Sequence, residues 1–248
     1  MINTKVKEST TMTDKYELTP NTKEVLGRTL HQIKSLKDFV DVRRGDLGGW
    51  VESYDNLSQS GNAWIYENAH VFDNAKVCGN AYVGGVAQVY GNAQVYGNAF
   101  VYNHAQVYDD AQVYDNVRVW GNAKVYGNAH IYNDAQVYGK ANVWGNVLVY
   151  DNANVCEYAQ LFGNARVYNN AMICDNAQVF SNAKVYGNAW VCDKALIYDN
   201  AHVFGHIEVC GNAILNGNFE VYGDGDVQGY NSIRDDNVNF EVPGDGDV

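Results

Sequence analysis

An all-β fold, a parallel β-helix of triangular cross-section, follows from three features of this 248-residue sequence. An aliphatic residue recurs every six positions from Ile65 to Val227, 28 times without an insertion. The unit around it reads Ala-x-Val-Tyr-Gly-Asn, as in Ala93-Gln94-Val95-Tyr96-Gly97-Asn98 and Ala123-Lys124-Val125-Tyr126-Gly127-Asn128. Cys156, Cys174, Cys192 and Cys210 each follow the aliphatic position and stand 18 residues apart. A short fixed period marks a solenoid, and hexapeptide repeats specify a parallel β-helix.

The chemistry of one hexad explains its geometry. Ala and Val are two apart, so in extended backbone they share one face while x and Tyr take the other. The closing pair is usually Gly-Asn, Asp-Asn or Asn-Asn, the residue types that tolerate left-handed or tight turns. Each hexad is therefore a short strand and a corner around a narrow interior of Ala and Val. Replacements at the Ala position stay apolar at Val117, Val147, Ile207 and Phe219. Three hexads per coil stack the four cysteines in one column, roughly 4.8 Å apart. The same spacing sorts Cys78, Tyr96, Tyr114, Tyr132, Tyr150, Tyr168, Tyr186, Phe204 and Tyr222 into a second column. A third runs Phe72, Tyr90, Tyr108, Tyr126, Trp144, Phe162, Phe180, Tyr198, Asn216. Cross-strand aromatic pairs of this kind are favourable. The expected rod has 18 residues per coil, about nine coils and a length of roughly 45 Å.

The segments divide in order. Residues 1–50 form an extension and a small N-terminal β cap, because an open solenoid core needs a plug. Within it, Val25 to Leu36 is expected as a strand or hairpin element, followed by the turn-rich Gly45-Asp46-Leu47-Gly48-Gly49. The β-helix occupies 51–227, with Asn56 to Gly61 as a degenerate first hexad. Residues 228–248 are a C-terminal cap or tail, and Gly-Asp-Gly-Asp-Val recurs there at 244–248. Both prolines, Pro20 and Pro243, stand outside the repeat, where they interrupt no ladder.

Composition excludes several classes. The net charge is −12. The acid is concentrated in the rod, which argues against nonspecific nucleic-acid binding and leaves imitation of a DNA surface as an acidic alternative. No run approaches the length of a membrane span, and the start lacks the apolar stretch of a secretory signal. Five cysteines in an aligned, odd-numbered set do not read as a secreted disulfide framework. A cytoplasmic location is expected, with the column cysteines as unpaired thiols standing where Tyr usually stands.

No catalytic constellation emerges. A general base needs an orienting neighbour and a sheltered pocket. His70, His130 and His202 fall at outward strand positions, His104 and His206 replace corner Asn, and His31 lies in the cap. The unbroken hexad count leaves no loop to build a pocket. His130, beside Tyr132 and Tyr114, is the single catalytic candidate. No metal site is expected, since four cysteines in a line do not converge tetrahedrally. Corner acids such as Glu67, Asp73, Asp115, Asp151 and Asp193 are too irregular for a calcium-binding repeat. No cofactor is expected either. The usable feature is an apolar patch on the cysteine-bearing face, with Trp64, Tyr82, Phe100, Trp120, Met172 and Trp190 as interface candidates; such patches mark protein–protein contact.

The run Leu36 to Ser53, LKDFVDVRRGDLGGWVES, followed by Asn56 to Ala69, NLSQSGNAWIYENA, resembles the entry segment of YdcK-like hexapeptide-repeat proteins of enteric bacteria and phages. Met12-Thr13-Asp14-Lys15-Tyr16-Glu17-Leu18 is similar to that family's natural start, which would make residues 1–11 an upstream extension. The resemblance implies a left-handed coil, against the usual right-handed crossover. It also implies a transferase label, inherited from hexapeptide acyltransferases that use acyl-CoA and a His base. From residues and resemblance together, the expected protein is a non-catalytic rigid scaffold, phage- or prophage-related. It would act in the host cytoplasm by self-association as a dimer or trimer, or by binding a host protein. An acyl-CoA-dependent acyltransferase is the alternative, as is an acidic anti-defence inhibitor.

Overall fold

The computed structural model describes residues 14–228 together with 232–233 and 239–242. The expected extension 1–11, Met12-Thr13, Pro243 and the 244–248 repeat lie outside the described residues. Among the described residues there is no helix. Three sheets run along the molecule, one of 13 strands and two of 10.

Most strands are two residues long and hold the x and Val of one hexad, as Gln94–Val95 and Gln112–Val113 do. Those two pair in parallel with a register of 18, Gln94 on Gln112 and Val95 on Val113. Both outward positions donate their N–H to the next coil. Gln112 N reaches Ala129 O at 2.9 Å and Tyr114 N reaches Ile131 O at 3.1 Å. The inward Ala and Val fill the tube and are buried along its length. Burying one Val contributes about 1.5 kcal/mol or more. The sheets reach ten rungs where about nine coils were expected. Ser232–Ile233 and Asn239–Val242 add a rung to the other two sheets, pairing in parallel with Ile214–Leu215 and Glu220–Gly223, while the sheet from Trp64–Ile65 to Asp226–Val227 has ten strands without them. Part of the C-terminal segment thus continues the coil.

The corners obey backbone sterics. Their first residue has positive φ, as at Gly97 (70°), Asp115 (60°) and Asn133 (58°). Gly97 is further constrained by closeness, since a Cβ there would lie 2.6 Å from Asp115 N. Where the corner residue is Asp, its carboxylate accepts the N–H of the next coil's corner. Asp109 Oδ2 takes Gly127 N at 3.2 Å, Asp151 Oδ2 takes Asn169 N at 3.1 Å and Asp193 Oδ2 takes Gly211 N at 3.0 Å. These acids satisfy backbone donors that the ladder leaves free. Their irregular spacing therefore needs no cation to explain it. The second corner residue forms amide ladders, with Asn80 Nδ2 donating to Asn98 and Asn98 to Asn116, each at 3.0 Å.

The N-terminal end is closed by a hairpin. Strand β1 (Tyr16–Val25) pairs antiparallel with β2 (Arg28–Ser35) through the positive-φ turn Leu26-Gly27. Strand β3 (Leu47–Val51) pairs antiparallel with β2 and parallel with His70–Val71, so it joins the cap to the first coil. Gly48 and Gly49 cross the tube mouth in contact with Ile65; a Cβ on either would lie 2.6 Å or 2.5 Å from it. The buried Lys15 donates through Nζ to Ala63 O at 2.8 Å, and the Tyr16 hydroxyl donates to Leu57 O at 2.7 Å. Burial, reinforced by Lys37, lowers the Lys15 pKa to about 8.

Asn56 is the pivot of entry. Its Oδ1 accepts Glu52 N and Ser53 N, while Nδ2 donates to Asp73 O and Ala75 O, all between 2.9 and 3.1 Å. Leu57 then bridges Val77 in parallel and is fully buried, which makes the degenerate hexad a true first rung.

Candidate functional site

The sheet containing Trp64–Ile65, Tyr82–Val83, Phe100–Val101, Met172–Ile173 and Trp190–Val191 presents the cysteines and the interface candidates on one face. Its aromatic content is not one continuous patch. Trp64 is removed from it altogether, at 2% exposure. The ring packs edge-on against Tyr16 and Phe39, at centroid distances of 6.2 and 5.5 Å. Trp64 is therefore cap core. Its outward position misleads because the hairpin folds over that part of the sheet.

Beyond the cap, Tyr82 bends into the space left by Gly84 and stacks on Tyr66 at 4.2 Å. A Cβ at Gly84 would meet the Tyr82 ring at 2.5 Å. Tyr82 also stacks with Phe100 at 5.4 Å, and the adjacent column continues Tyr102, Trp120, Tyr138 at 6.0 and 4.3 Å. Arg118 joins Tyr82, Phe100 and Tyr102 in lining a shallow depression. Gln136 and Asn154 then separate this group from Met172 and Trp190. Phe100 is 40% exposed and Trp190 42%, five coils apart, or roughly 24 Å at ordinary strand spacing. Tyr82, Trp120 and Met172 are half-buried.

The cysteine column is a single line of sulfur, as the period of 18 requires. Cys156, Cys174, Cys192 and Cys210 form one buried cluster, with Tyr138 and Met172 packed against it. The expectation of unpaired thiols fails at one end. Cys192 and Cys210 are joined by a disulfide, with a Cα–Cα distance of 4.8 Å. Parallel side chains one rung apart therefore do come within bonding reach. Cys156 and Cys174 remain free thiols. Cys174 Sγ donates to Asp175 Oδ2 at 3.5 Å, and the interaction with its column neighbour raises the Cys174 pKa and lowers that of Cys156. The Trp190 indole N–H donates to Cys174 Sγ at 2.8 Å. Glu208 enters from the neighbouring column, with Oε1 3.0 Å from Cys210 Sγ and 4.0 Å from Cys192 Sγ. Reading one column at a time missed Glu208. The usable signal was its place two residues before Cys210, on the same outward face.

The histidines do not converge. His130 sits in the tyrosine-bearing sheet between Gln112 and Leu148, and among the described residues no hydrogen bond orients it. His202 Nδ1 lies 3.6 Å from Glu220 Oε1, and burial first, then Lys184, lowers its pKa. His206 pairs with Asp224 at 3.0 Å on an exposed corner. His70 Nε2 is 3.1 Å from Lys23 Nζ beneath the cap, and burial followed by the Lys23 charge lowers its pKa to about 4. A depression of about 1010 Å³ at the cap junction is lined by Arg28, Glu52 and Asp73 but by no histidine. Its guanidinium is already committed to Glu52 at 3.3 Å and Asp73 at 2.7 Å. No pair of base and orienting group faces a sheltered cavity among the described residues.

The coil geometry has a counterpart among known sequences. The repeat described as YdcK Beta solenoid repeat matches residues 87–103, 93–109, 111–124 and 159–175. A curated relative, "Uncharacterized acetyltransferase YdcK" of Escherichia coli (strain K12), is 47% identical over 38 residues. That stretch covers 15% of this chain and 12% of the relative. The chain thus carries coils similar to the YdcK β-solenoid repeat, and the comparison spans only a small part of the relative.

Proposed function

We propose that this protein is a rigid, non-catalytic scaffold that works by association, first with further copies of itself. One observation carries the reading. Phe100 and Trp190 stand exposed on a single straight parallel sheet whose other large apolar groups are stacked or half-buried. Exposed aromatics on a flat, preorganised surface favour contact, because little side-chain freedom is lost when they are covered. A dimer or trimer formed side by side would cover both residues. The resemblance to phage-type repeat proteins supports a host protein as the other user of the same face, with the cytoplasm as the place of action.

Light scattering on the full chain tests the reading. It should report a mass above 27.5 kDa, and Phe100→Asp or Trp190→Asp should lower it. A monomer that neither change affects overturns self-association. Acyl transfer is the second reading, drawn from the name of the Escherichia coli relative. Its signature would be calorimetric binding of acetyl-CoA that His130→Ala abolishes.

A further inference from the structure

We infer that Cys192, Cys210 and Glu208 form a redox-gated site for a thiophilic divalent cation of the zinc type, open when the two cysteines are thiols. The donor atoms of the three residues lie within 4.8 Å of one another, and both cysteines are buried. Zinc binds thiolate at about 2.3 Å and carboxylate at about 2.0–2.2 Å, so donors around a tetrahedral ion stand roughly 3.5–3.8 Å apart. Small side-chain rotations bring these three donors to that spacing. A line of cysteines alone offers no such triangle; Glu208, from the adjacent outward column, supplies the off-axis corner.

The position of Glu208 carries the argument further. Its carboxylate oxygen is 3.0 Å from Cys210 Sγ. A disulfide sulfur has no proton to give, so the oxidised pair offers this half-buried anion nothing. In the dithiol, a thiol proton or a cation fills the gap, and a cation satisfies both sulfurs and the carboxylate at once. Cys174 is held out of the set by its bonds to Asp175 and Trp190. Three protein donors and one solvent position result. Two sulfurs and a single carboxylate select a borderline-soft ion over calcium or magnesium, which take mostly oxygen ligands.

A phosphine reductant supplies two electrons, cleaves the Cys192–Cys210 bond and leaves as its oxide with oxygen from water, whose two protons go to the two sulfurs. Binding of the divalent ion expels those two protons and forms two metal–sulfur bonds. Reoxidation by an added small-molecule disulfide, which takes the two electrons and two solvent protons and leaves as two thiols, would re-form the Cys192–Cys210 bond and release the ion.

Cobalt(II) is the probe, added to the full-length, phosphine-reduced protein under anaerobic conditions. One equivalent should give thiolate-to-cobalt charge-transfer absorption and intense tetrahedral ligand-field bands, both bleached by zinc. The oxidised protein should give neither. Cys192→Ala and Cys210→Ala should abolish the signal, Glu208→Gln should weaken binding about tenfold or more, and Cys78→Ala should leave it unchanged. Glu208→Gln touches no core position, so it stays informative if a cysteine variant folds poorly. A reduced wild-type protein without charge transfer overturns the site. So does a signal that survives Cys210→Ala, or one as strong in Glu208→Gln as in the wild type.

Discussion

Asn56 shows how one side chain can begin a solenoid. It spends both amide donors on carbonyls of the first full coil and its oxygen on the N–H groups of the entering turn. Asn56→Ala leaves two buried carbonyls and two N–H groups short of partners, each worth about 1 kcal/mol or more. The expected outcome is a loss of about 2–4 kcal/mol in the stability of the entry coil. Hydrogen exchange should then speed up near Val77 and stay unchanged near Val179, since contacts in a solenoid pass only between neighbours. His70 makes a second residue-scale prediction. Its folded pKa, about 4, lies below the unfolded value of 6.5, so an unfolded cap takes up a proton first. The contribution is whole above pH 6.5 and is lost as pH falls toward 4. Acid unfolding of the cap, followed by Trp50 or Trp64 fluorescence, should shift toward lower pH in His70→Gln.

The elements are ladders more than strands, because two residues per strand give little on their own. Tyr96, Tyr114, Tyr132 and Tyr150 stack at 4.9 to 5.2 Å with ring planes within 4°. Burial, together with neighbouring phenols, raises Tyr108, Tyr114 and Tyr150 to about 12. The folded ladder thus holds its protons where an unfolded chain loses them. Its contribution is complete below pH 10 and disappears on the way to pH 12. Absorbance titration should show delayed phenolate formation, and urea midpoints should drop across the same interval. These ladders were legible beforehand, since a period of 18 sorts columns by arithmetic. Trp64 and Glu208 were not. The first is covered by a hairpin whose docking no repeat encodes, and the second acts across two columns that the period keeps apart. The disulfide escaped for a related reason. Column arithmetic fixes which sulfurs are neighbours, but side-chain rotation decides whether they meet.

At the scale of the whole molecule, the net charge of −12 opposes side-by-side contact while the exposed rings favour it. Raising the salt concentration screens the repulsion, so the mass measured by scattering should rise with ionic strength at fixed protein concentration. An assembly that dissolves in salt would point instead to charge-paired contacts and away from Phe100 and Trp190. The class of fold was readable from the period alone; the face proposed for association was only partly readable, because exposure depends on what the cap and the neighbouring rings conceal. Continuous pairing between coils also makes the rod stiff along its described length, so any partner meets a surface with fixed spacing.

The lid over the first coil gives that stiff rod a direction. With Gly48, Gly49 and Lys15 seated across its mouth, the starting edge is withheld from strangers, and an incoming strand cannot prolong the sheets there without evicting the hairpin. Nose-to-tail addition of a second rod is thereby opposed at one terminus.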